Sequence, residues 1–216
     1  MKRHKLQKSN MAPSDNTQPS PSTSTQLIAL VNQAREGNRS AFTQLADKFH
    51  GDIFRTVYYR IRSQVDAEDI TQDVFLKAFQ KVSSVKDATK FRSWLYSITM
   101  NRIRDFQRKK RFRSLFKKED HNIESEPVEA AGAEQPEALE QVLKKDFWRQ
   151  VGLILERLPK MEREVFLLRF FDQLSIKEIA GVLKKNDSTI KTHLYRALAK
   201  FRKEPAMRRL LTEVVQ

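Results

Sequence analysis

Two short helical patterns near the C-terminus, separated by only a few polar residues, constrain the fold of this chain more than any other feature. The first runs Ser175-Ile-Lys-Glu-Ile-Ala-Gly-Val-Leu183, and the second begins Ser188-Thr-Ile-Lys-Thr-His-Leu-Tyr-Arg196. Ser175 and Glu178 have the spacing of a capping box, which defines the start of the first helix. Two helices joined by so short a connection can pack only as a helix-turn-helix.

Each of the two patterns has one apolar face at helical spacing. The residues on these faces are Ile176, Ile179, Ala180 and Leu183 in the first helix and Ile190, Leu194, Ala197, Leu198 and Phe201 in the second. The outward face of the second helix mixes cations, hydroxyls and an aromatic ring and contains no acid, which suits phosphates and base edges. The predicted DNA-contacting residues are Ser188, Thr189, Lys191, Thr192, His193, Tyr195 and Arg196.

The turn between the two helices contains Lys184, Lys185 and Asn186. Asparagine is a good helix N-cap and also tolerates an unusual backbone angle. We therefore expect Asn186 to start the second helix and to shape the turn before it.

The chain is strongly basic, with a formal net charge of +14 and an isoelectric point near 10. Such a charge favours a polyanionic partner. No apolar run is long enough to span a bilayer, so we expect no membrane insertion. The basic start Met1-Lys-Arg-His-Lys5 is followed by Ser, Thr, Pro and Gln instead of the apolar core of a signal peptide. These features predict a cytoplasmic protein that binds DNA.

The residue types present give little support to catalysis or to metal binding. The chain has no cysteine, which excludes a disulfide framework and a thiolate metal site. The other histidines, His4, His50 and His121, lie far apart in sequence without metal-ligand spacing, so we interpret His193 as a DNA contact. There is no phosphate-cradling glycine loop and no nucleophile–base arrangement. The sequence predicts no cofactor, no metal and no enzymatic activity.

The periodic segments contain few Pro and Gly residues, and no alternating strand pattern persists, which predicts an all-α protein. Residues 1–25 lack apolar periodicity and are rich in Ser, Thr, Pro and Gln, which is typical of a disordered tail. A short helix is predicted from Gln26 to near Gly37, and Ser40 is expected to cap a longer one.

Two further helices complete a predicted N-terminal domain over residues 26–113. Asp66 is expected to cap the third helix, and a loop from Ser83 to Thr89 follows it. The fourth helix is predicted from Phe91 to Phe106. Phe91 and Trp94 are read as core residues because they have helical spacing.

The charge pattern breaks sharply after the fourth helix. Many Lys and Arg residues lie at the end of this helix and just after it. Glu119–Glu140, in contrast, contains several acidic residues and two prolines but no Lys or Arg. An acidic, proline-broken stretch is typical of a linker, placed here at residues 114–136. A second helical domain is predicted over residues 137–216, with one helix closed by Pro159 before the helix-turn-helix. The expected fold is two small helical domains joined by an acidic flexible linker.

Four segments in order resemble the extracytoplasmic-function (ECF) group of bacterial sigma factors, the small two-domain members of the sigma-70 family. Ala67–Phe79 resembles the segment that docks on the polymerase β′ subunit. Phe91–Asn101, with the basic run behind it, resembles the segment that reads and opens the –10 element. Leu158–Phe166 resembles the entry to the C-terminal domain, and the helix-turn-helix resembles the reader of the –35 element.

The resemblance implies a transcription initiation factor and assigns roles to further residues. Its implied partners are core RNA polymerase through the β′ and β subunits, promoter DNA and an anti-sigma factor. The implied polymerase-binding residues are Glu68, Asp69, Gln72 and Asp73. The implied –10 residues are Val85, Lys86, Asp87, Asn101, Arg102, Arg104 and Arg108.

Other interpretations of these residues stay open at the level of sequence. The acids of Ala67–Phe79 could simply favour the start of a helix, and Asn101 could be an ordinary surface residue. The linker could follow a positively charged polymerase channel or serve only as a tether. Three other classes of function are a regulator that recruits polymerase without melting DNA, a nucleic-acid enzyme and a protein-interaction adaptor.

Overall fold

A computed structural model of the chain describes residues 21–116 and 151–204. In these two ranges the regular structure is helical and no strand is present, which confirms the predicted all-α class. The N-terminal range forms α1 (Pro21–Arg35), α2 (Arg39–Ile61), α3 (Gln64–Lys81) and α4 (Phe91–Phe116). The C-terminal range forms α5 (residues 151–157), α6 (Lys160–Phe166), α7 (Ile176–Leu183) and α8 (Asp187–Lys203).

The first helix begins earlier than the sequence predicts. α1 starts at Pro21, so residues 21–25 are helical and do not belong to the predicted tail. Proline fits this position because an amide hydrogen in the first turn has no hydrogen-bond partner within the helix, so its absence costs nothing. The rest of the predicted tail, residues 1–20, lies outside the described residues.

The predicted caps of α2 and α3 are wrong by two or three residues. Asn38, not Ser40, caps α2, and its Oδ1 accepts a hydrogen bond from the amide of Ala41 at 3.1 Å. Ser63, not Asp66, caps α3, and Asp66 lies in the first turn. Before both helices, several residues that are favourable N-caps lie close together in the sequence. Residue type alone therefore does not identify the cap. A carboxylate in the first turn still stabilises α3 through the helix dipole.

The fourth helix is longer than predicted because its basic end remains helical. α4 continues past Phe106 to Phe116, and residues 114–116 of the predicted linker belong to it. Arginine and lysine are good helix formers, so the loss of the apolar pattern does not end the helix. The remainder of the predicted linker, residues 117–136, and the predicted start of the second domain at 137 lie outside the described residues.

The N-terminal helices pack around one apolar core. Fully buried side chains come from every helix, including Val31, Leu45, Ile53, Val74 and Leu95. Between α3 and α4 the chain forms two single 3₁₀ turns, Val82–Ser84 and Ala88–Lys90, whose apolar residues are buried in the same core. The connection is therefore anchored to the domain instead of forming an open loop.

In the C-terminal unit, α8 is held against α6 and α7. The rings of Phe166 and Phe201 stack with centroids 4.3 Å apart and planes 7° apart. Ile190 and Leu194 are buried on the predicted apolar face of α8. A π-helical turn, Leu167–Phe171, follows α6 and leads to a left-handed residue, Gln173, before α7 begins.

The two helical units are packed directly against each other. α7 lies on α4, and one cluster of buried apolar residues includes Leu95 and Tyr96 of α4 together with Leu174 and Ile179 of the C-terminal unit. The sequence predicts two separate domains joined by a linker, and this contact is an addition to that prediction.

Candidate nucleic-acid interface

The capping box that defines the start of the helix-turn-helix is present as predicted. Ser175 Oγ accepts a hydrogen bond from the Glu178 amide at 3.3 Å, and Glu178 Oε2 accepts one from the Ser175 amide at 2.8 Å. Two backbone donors that the helix itself leaves unpaired are therefore satisfied, and α7 has a defined first residue.

The turn of the helix-turn-helix depends on Lys184 and Asn186. Lys184 adopts the left-handed conformation (φ 53°, ψ 49°), and the Lys185 amide donates to the Ala180 carbonyl at 3.0 Å. Asn186 is extended, and its Oδ1 accepts a hydrogen bond from the Thr189 amide at 2.8 Å, which starts α8. The predicted cap is confirmed, but the unusual backbone angle falls on Lys184 and not on Asn186.

The outward face of α8 presents the predicted reading residues to solvent. Lys191 and Arg196 are exposed, and the Tyr195 side chain is 58% exposed. The Thr192 hydroxyl donates to the Ser188 carbonyl at 2.9 Å, which leaves the hydroxyl lone pairs turned outward as acceptors. Thr189 and His193 are half-buried, so they lie at the margin of this face. Positive charge, hydroxyls and one ring are thus brought together on a single helix surface.

The C-terminal half of α4 carries a second basic surface. Asn101, Arg104 and Arg108 are exposed and lie three and four residues apart, so they share one face of the helix. Arg108 also pairs with Asp105 at 3.1 Å on the surface. Arg102 is half-buried and lies on another face, so it does not join the other three residues. We call Asn101, Arg104 and Arg108 the α4 face.

The segment before α4 does not present all of its predicted residues. Val85 is 3% exposed and packs in the core, so its side chain does not lie on the surface where a contact with DNA was predicted. Lys86 is exposed, whereas Asp87 caps the second 3₁₀ turn. Hydrogen bonds from the hydroxyl and the amide of Thr89 lower the pKa of Asp87, so this carboxylate is committed to local structure.

The acidic residues of α3 lie together on a face opposite in charge to the α4 face. Glu68, Asp69, Gln72 and Asp73 are all exposed, and Leu76 beside them is 57% exposed. An apolar residue surrounded by acids is suited to a protein surface that supplies both cations and an apolar contact. We call these five residues the α3 face.

Sequence reasoning missed a buried polar cluster between the two units. Arg60 of α2 pairs with Glu164 and Asp172, and Thr56 lies next to Asp172. Thr56 and Arg60 share a helix face with the buried Ile53 and Val57. Polar residues at core-facing positions of α2 were the signal for buried polar groups, but this signal does not identify their partners in the other unit.

Within residues 21–116 and 151–204, no group of three or more His, Asp or Glu side chains is arranged to hold a metal ion. Over the same residues, no helix combines the length and the hydropathy of a membrane span.

Comparison with known protein families gives two matches, in the order that the sequence predicts. The model for sigma-70 region 2 matches residues 45–113, which lie in α2, α3 and α4. The model for sigma-70 region 4 matches residues 148–201, which include the helix-turn-helix. Both basic surfaces therefore lie within matched regions.

Curated relatives and a solved structure agree with these matches. RNA polymerase sigma factor SigV of Bacillus subtilis is 31% identical over 149 residues, covering 68% of this chain and 80% of the relative. ECF RNA polymerase sigma factor BldN of Streptomyces coelicolor is 30% identical over 180 residues, covering 82% of this chain and 65% of the relative. The sigma factor RpoE of Bartonella quintana, solved with the anti-sigma factor NepR, shares the fold with a TM-score of 0.57 at 20% identity, covering 79% of this chain and 96% of that one.

Proposed function

The chain belongs to the ECF group of the sigma-70 family of RNA polymerase sigma factors, and from this we propose that it binds core RNA polymerase and directs it to a specific set of promoters. The observation that carries the proposal is that one chain holds both family regions in order, each with an exposed basic surface. A lone helix-turn-helix would be compatible with many regulators.

In this proposal the reader of the –35 element is the outward surface of α8, which we call the α8 face and which consists of Ser188, Thr189, Lys191, Thr192, His193, Tyr195 and Arg196. A recognition helix enters the major groove with its outward residues near base edges. Lys191 and Arg196 would bind phosphates or guanine, and Ser188 and Thr192 would reach base edges through their hydroxyls. Thr189 and His193 would contribute from the margin, and Tyr195 would pack against a sugar.

The α4 face takes part in opening the –10 element. Arg104 and Arg108 would hold phosphates of the separated strand, and Asn101 would hydrogen-bond a base edge. Lys86 at the preceding turn and Arg102 beside the face would add positive charge. Because the domain binds the unpaired strand and not the duplex, binding shifts the DNA equilibrium towards the open form.

The α3 face docks on the β′ subunit of the polymerase. Its carboxylates match a basic partner surface, and Leu76 supplies an apolar contact at the centre. Region 4 would contact the β subunit, so that both domains are held on the enzyme. The catalytic chemistry of transcription belongs to the polymerase, and this chain contributes binding energy in the cytoplasm, where polymerase and chromosome are found.

An anti-sigma factor is a further proposed partner. The Bartonella sigma factor with the same fold was solved with the anti-sigma factor NepR. We expect a comparable inhibitor for this chain, because holding the sigma factor away from polymerase prevents promoter choice without destroying the protein.

Run-off transcription with core polymerase and this chain tests the proposal. Genomic DNA fragments serve as templates, and transcript starts are mapped. We expect starts that share a –10 and –35 pair, which are lost when Asp69 and Asp73 are both changed to Lys. The control variant Lys48→Glu changes an exposed charge of α2 outside these faces and should leave transcription unchanged.

The same experiment separates the proposal from its main alternative. A regulator that only recruits polymerase would require a second sigma factor for any start, whereas the proposed factor works with core polymerase alone. Specific starts that appear only after another sigma factor is added would refute the proposal.

A further inference from the structure

A partly enclosed cavity of about 200 Å³ lies between α2 and α4 on one side and α5 and α6 on the other. Folded proteins are close-packed and contain few voids larger than a water molecule. The residues that line the cavity belong to none of the three faces assigned above to DNA or polymerase. The proposed function therefore gives no reason for this open space.

One part of the cavity wall is apolar and aromatic. It is formed by Leu155 of α5, by Leu167 and by the rings of Tyr59 and Phe171. The two rings meet edge to face, with centroids 5.0 Å apart. An aromatic ring attracts another ring in an offset-stacked or edge-to-face arrangement. This part of the wall therefore suits a flat apolar group, such as a single benzene ring.

The acidic residues of the wall are already paired with arginines. Glu164 Oε1 accepts a hydrogen bond from Arg60 Nε at 2.6 Å. Glu156 Oε1 lies 3.2 Å from Arg62 Nη2. Arg60 also pairs with Asp172 at 3.0 Å. Because these carboxylates are held by guanidinium groups, the wall does not offer a free anion to a cationic ligand.

Two other cations of the wall, Lys160 and Arg163, have no such partner. Across residues 21–116 and 151–204, neither side chain makes an ion pair with a carboxylate. They are three residues apart in α6 and share a helix face with Leu167. Unpaired cations favour an anionic ligand, and the planar guanidinium of an arginine can bind a carboxylate through two parallel hydrogen bonds.

Gly152 of α5 leaves part of the cavity empty. A Cβ atom at this position would meet no other atom within 4 Å, so a side chain would enter open space without a clash. Glycine is also a poorer helix former than residues with a side chain. Replacing Gly152 by a larger apolar residue should therefore fill the cavity without destabilising α5.

We infer that this space, which we call the inter-unit cavity, is a binding site for a small aromatic carboxylate. Its ring would lie against Tyr59 and Phe171, and its carboxylate would be held by Arg163 with Lys160 beside it. A cavity smaller than the usual 300–1,000 Å³ of drug-sized ligands suits one ring with a short anionic arm. Because the wall includes helices of both units, the bound molecule would link their stability to its own concentration.

Nuclear magnetic resonance titration of the full-length chain tests the site. Benzoate and phenylacetate are the probes, and benzamide and phenylacetamide are their uncharged counterparts. We expect both carboxylates to shift the amide signals of Tyr59, Gly152 and Arg163 saturably, with a Kd on the order of 1 mM for ligands of this size. The amides should bind at least about tenfold more weakly, because they cannot make the charge-assisted hydrogen bonds.

Two variants change the cavity in different ways. Gly152→Leu should abolish benzoate binding by filling the space, and it should raise the melting temperature of the free protein. Arg163→Gln should weaken binding at least about tenfold by removing the charge. The matched control Lys177→Gln removes an exposed cation of α7 outside the cavity and should change the Kd by less than about twofold. Circular dichroism should show equal helix content for all three variants.

Thermal unfolding gives a second readout. At a concentration about ten times its Kd, benzoate should raise the melting temperature of the wild-type chain by about 3–6 °C and leave that of Gly152→Leu unchanged.

Three results would each overturn the inference. One is the absence of saturable shifts with either carboxylate at about twenty times the expected Kd. The second is equal binding of carboxylates and amides. The third is unchanged benzoate binding by Gly152→Leu and Arg163→Gln. These measurements need neither polymerase nor DNA, so a failure here leaves the proposed function, which run-off transcription tests, unaffected.

Discussion

Phe201 at the end of α8 stacks on Phe166 of α6, with ring centroids 4.3 Å apart. The contact links the C-terminal end of α8 to the C-terminal end of α6. The orientation of the α8 face therefore depends on a residue that does not itself face DNA.

Phe201→Ala should destabilise the C-terminal unit by about 3–5 kcal/mol, because it removes a buried ring and leaves a cavity. Denaturant unfolding followed by circular dichroism measures this change. Ala199→Ser, at an exposed position of the same helix, is the matched control and should change the unfolding free energy by less than about 0.5 kcal/mol. Equal stability of Phe201→Ala and the wild type would show that the stacked pair contributes nothing to the fold.

Arg196→Ala should weaken binding to a –35 fragment by about 1–3 kcal/mol, if the side chain contacts a guanine. Fluorescence anisotropy with the matched fragment and with single-base variants measures both affinity and discrimination. A loss of affinity that is equal for all fragments would assign Arg196 to phosphate and not to base contact. Binding that is unchanged for every fragment would contradict the placement of Arg196 on the reading face.

Asn101→Ala and Arg108→Ala should have different effects on the –10 element. Asn101→Ala should reduce discrimination between base sequences, whereas Arg108→Ala should weaken all DNA contacts and reduce the salt dependence by about one unit of slope. Open-complex formation by holoenzyme at several salt concentrations measures both effects. If neither variant alters opening, the α4 face does not contact the melted strand.

Lys184→Gly should stabilise the C-terminal unit by about 0.5–1 kcal/mol. Lys184 is left-handed at φ 53°, a conformation that glycine adopts without the steric penalty of a Cβ atom. Thermal unfolding measures the change, and Lys185→Gly is the control because Lys185 has no positive φ. A lower melting temperature for Lys184→Gly would mean that the lysine side chain stabilises the turn by more than its backbone angle costs.

The protein should lose stability at high pH through Tyr96. Burial raises the pKa of Tyr96 to about 12, above its ordinary value of about 10. Between these values the unfolded chain releases the phenolic proton and the folded chain keeps it. The contribution of Tyr96 to stability is therefore complete below pH about 10 and is lost at about 1.4 kcal/mol per pH unit between pH about 10 and about 12. Denaturant unfolding at stepped pH measures the slope, and Tyr96→Phe should flatten it. A slope that Tyr96→Phe leaves unchanged would assign the alkaline loss to other groups.

Local patterns in the sequence predicted the helix-turn-helix well. The capping box at Ser175 and the cap at Asn186 depend on residues three positions apart, and the apolar faces depend on helical periodicity alone. The caps at Asn38 and Ser63 were missed because neighbouring residues have the same capping chemistry. Val85 was wrongly placed on the surface, because a short segment without periodicity does not show which side chain faces the core.

The arrangement of the two units could not be predicted from local patterns. Arg60 and Asp172 are 112 residues apart, and the residues next to each of them in the sequence do not identify the other as its partner. Their pairing depends on the π-helical turn at Leu167–Phe171, which has no reliable sequence signature. The exposed residues of the α3 and α8 faces, in contrast, follow directly once each helix has its apolar face assigned.

The apolar cluster that runs through both units has a practical consequence for dividing the chain into fragments. Leu174 and Ile179 have no exposed surface in the full chain, and part of their surroundings comes from α4. A C-terminal fragment produced by itself would expose this apolar surface to water and would self-associate. Binding constants measured on such a fragment would then report aggregation as well as DNA affinity.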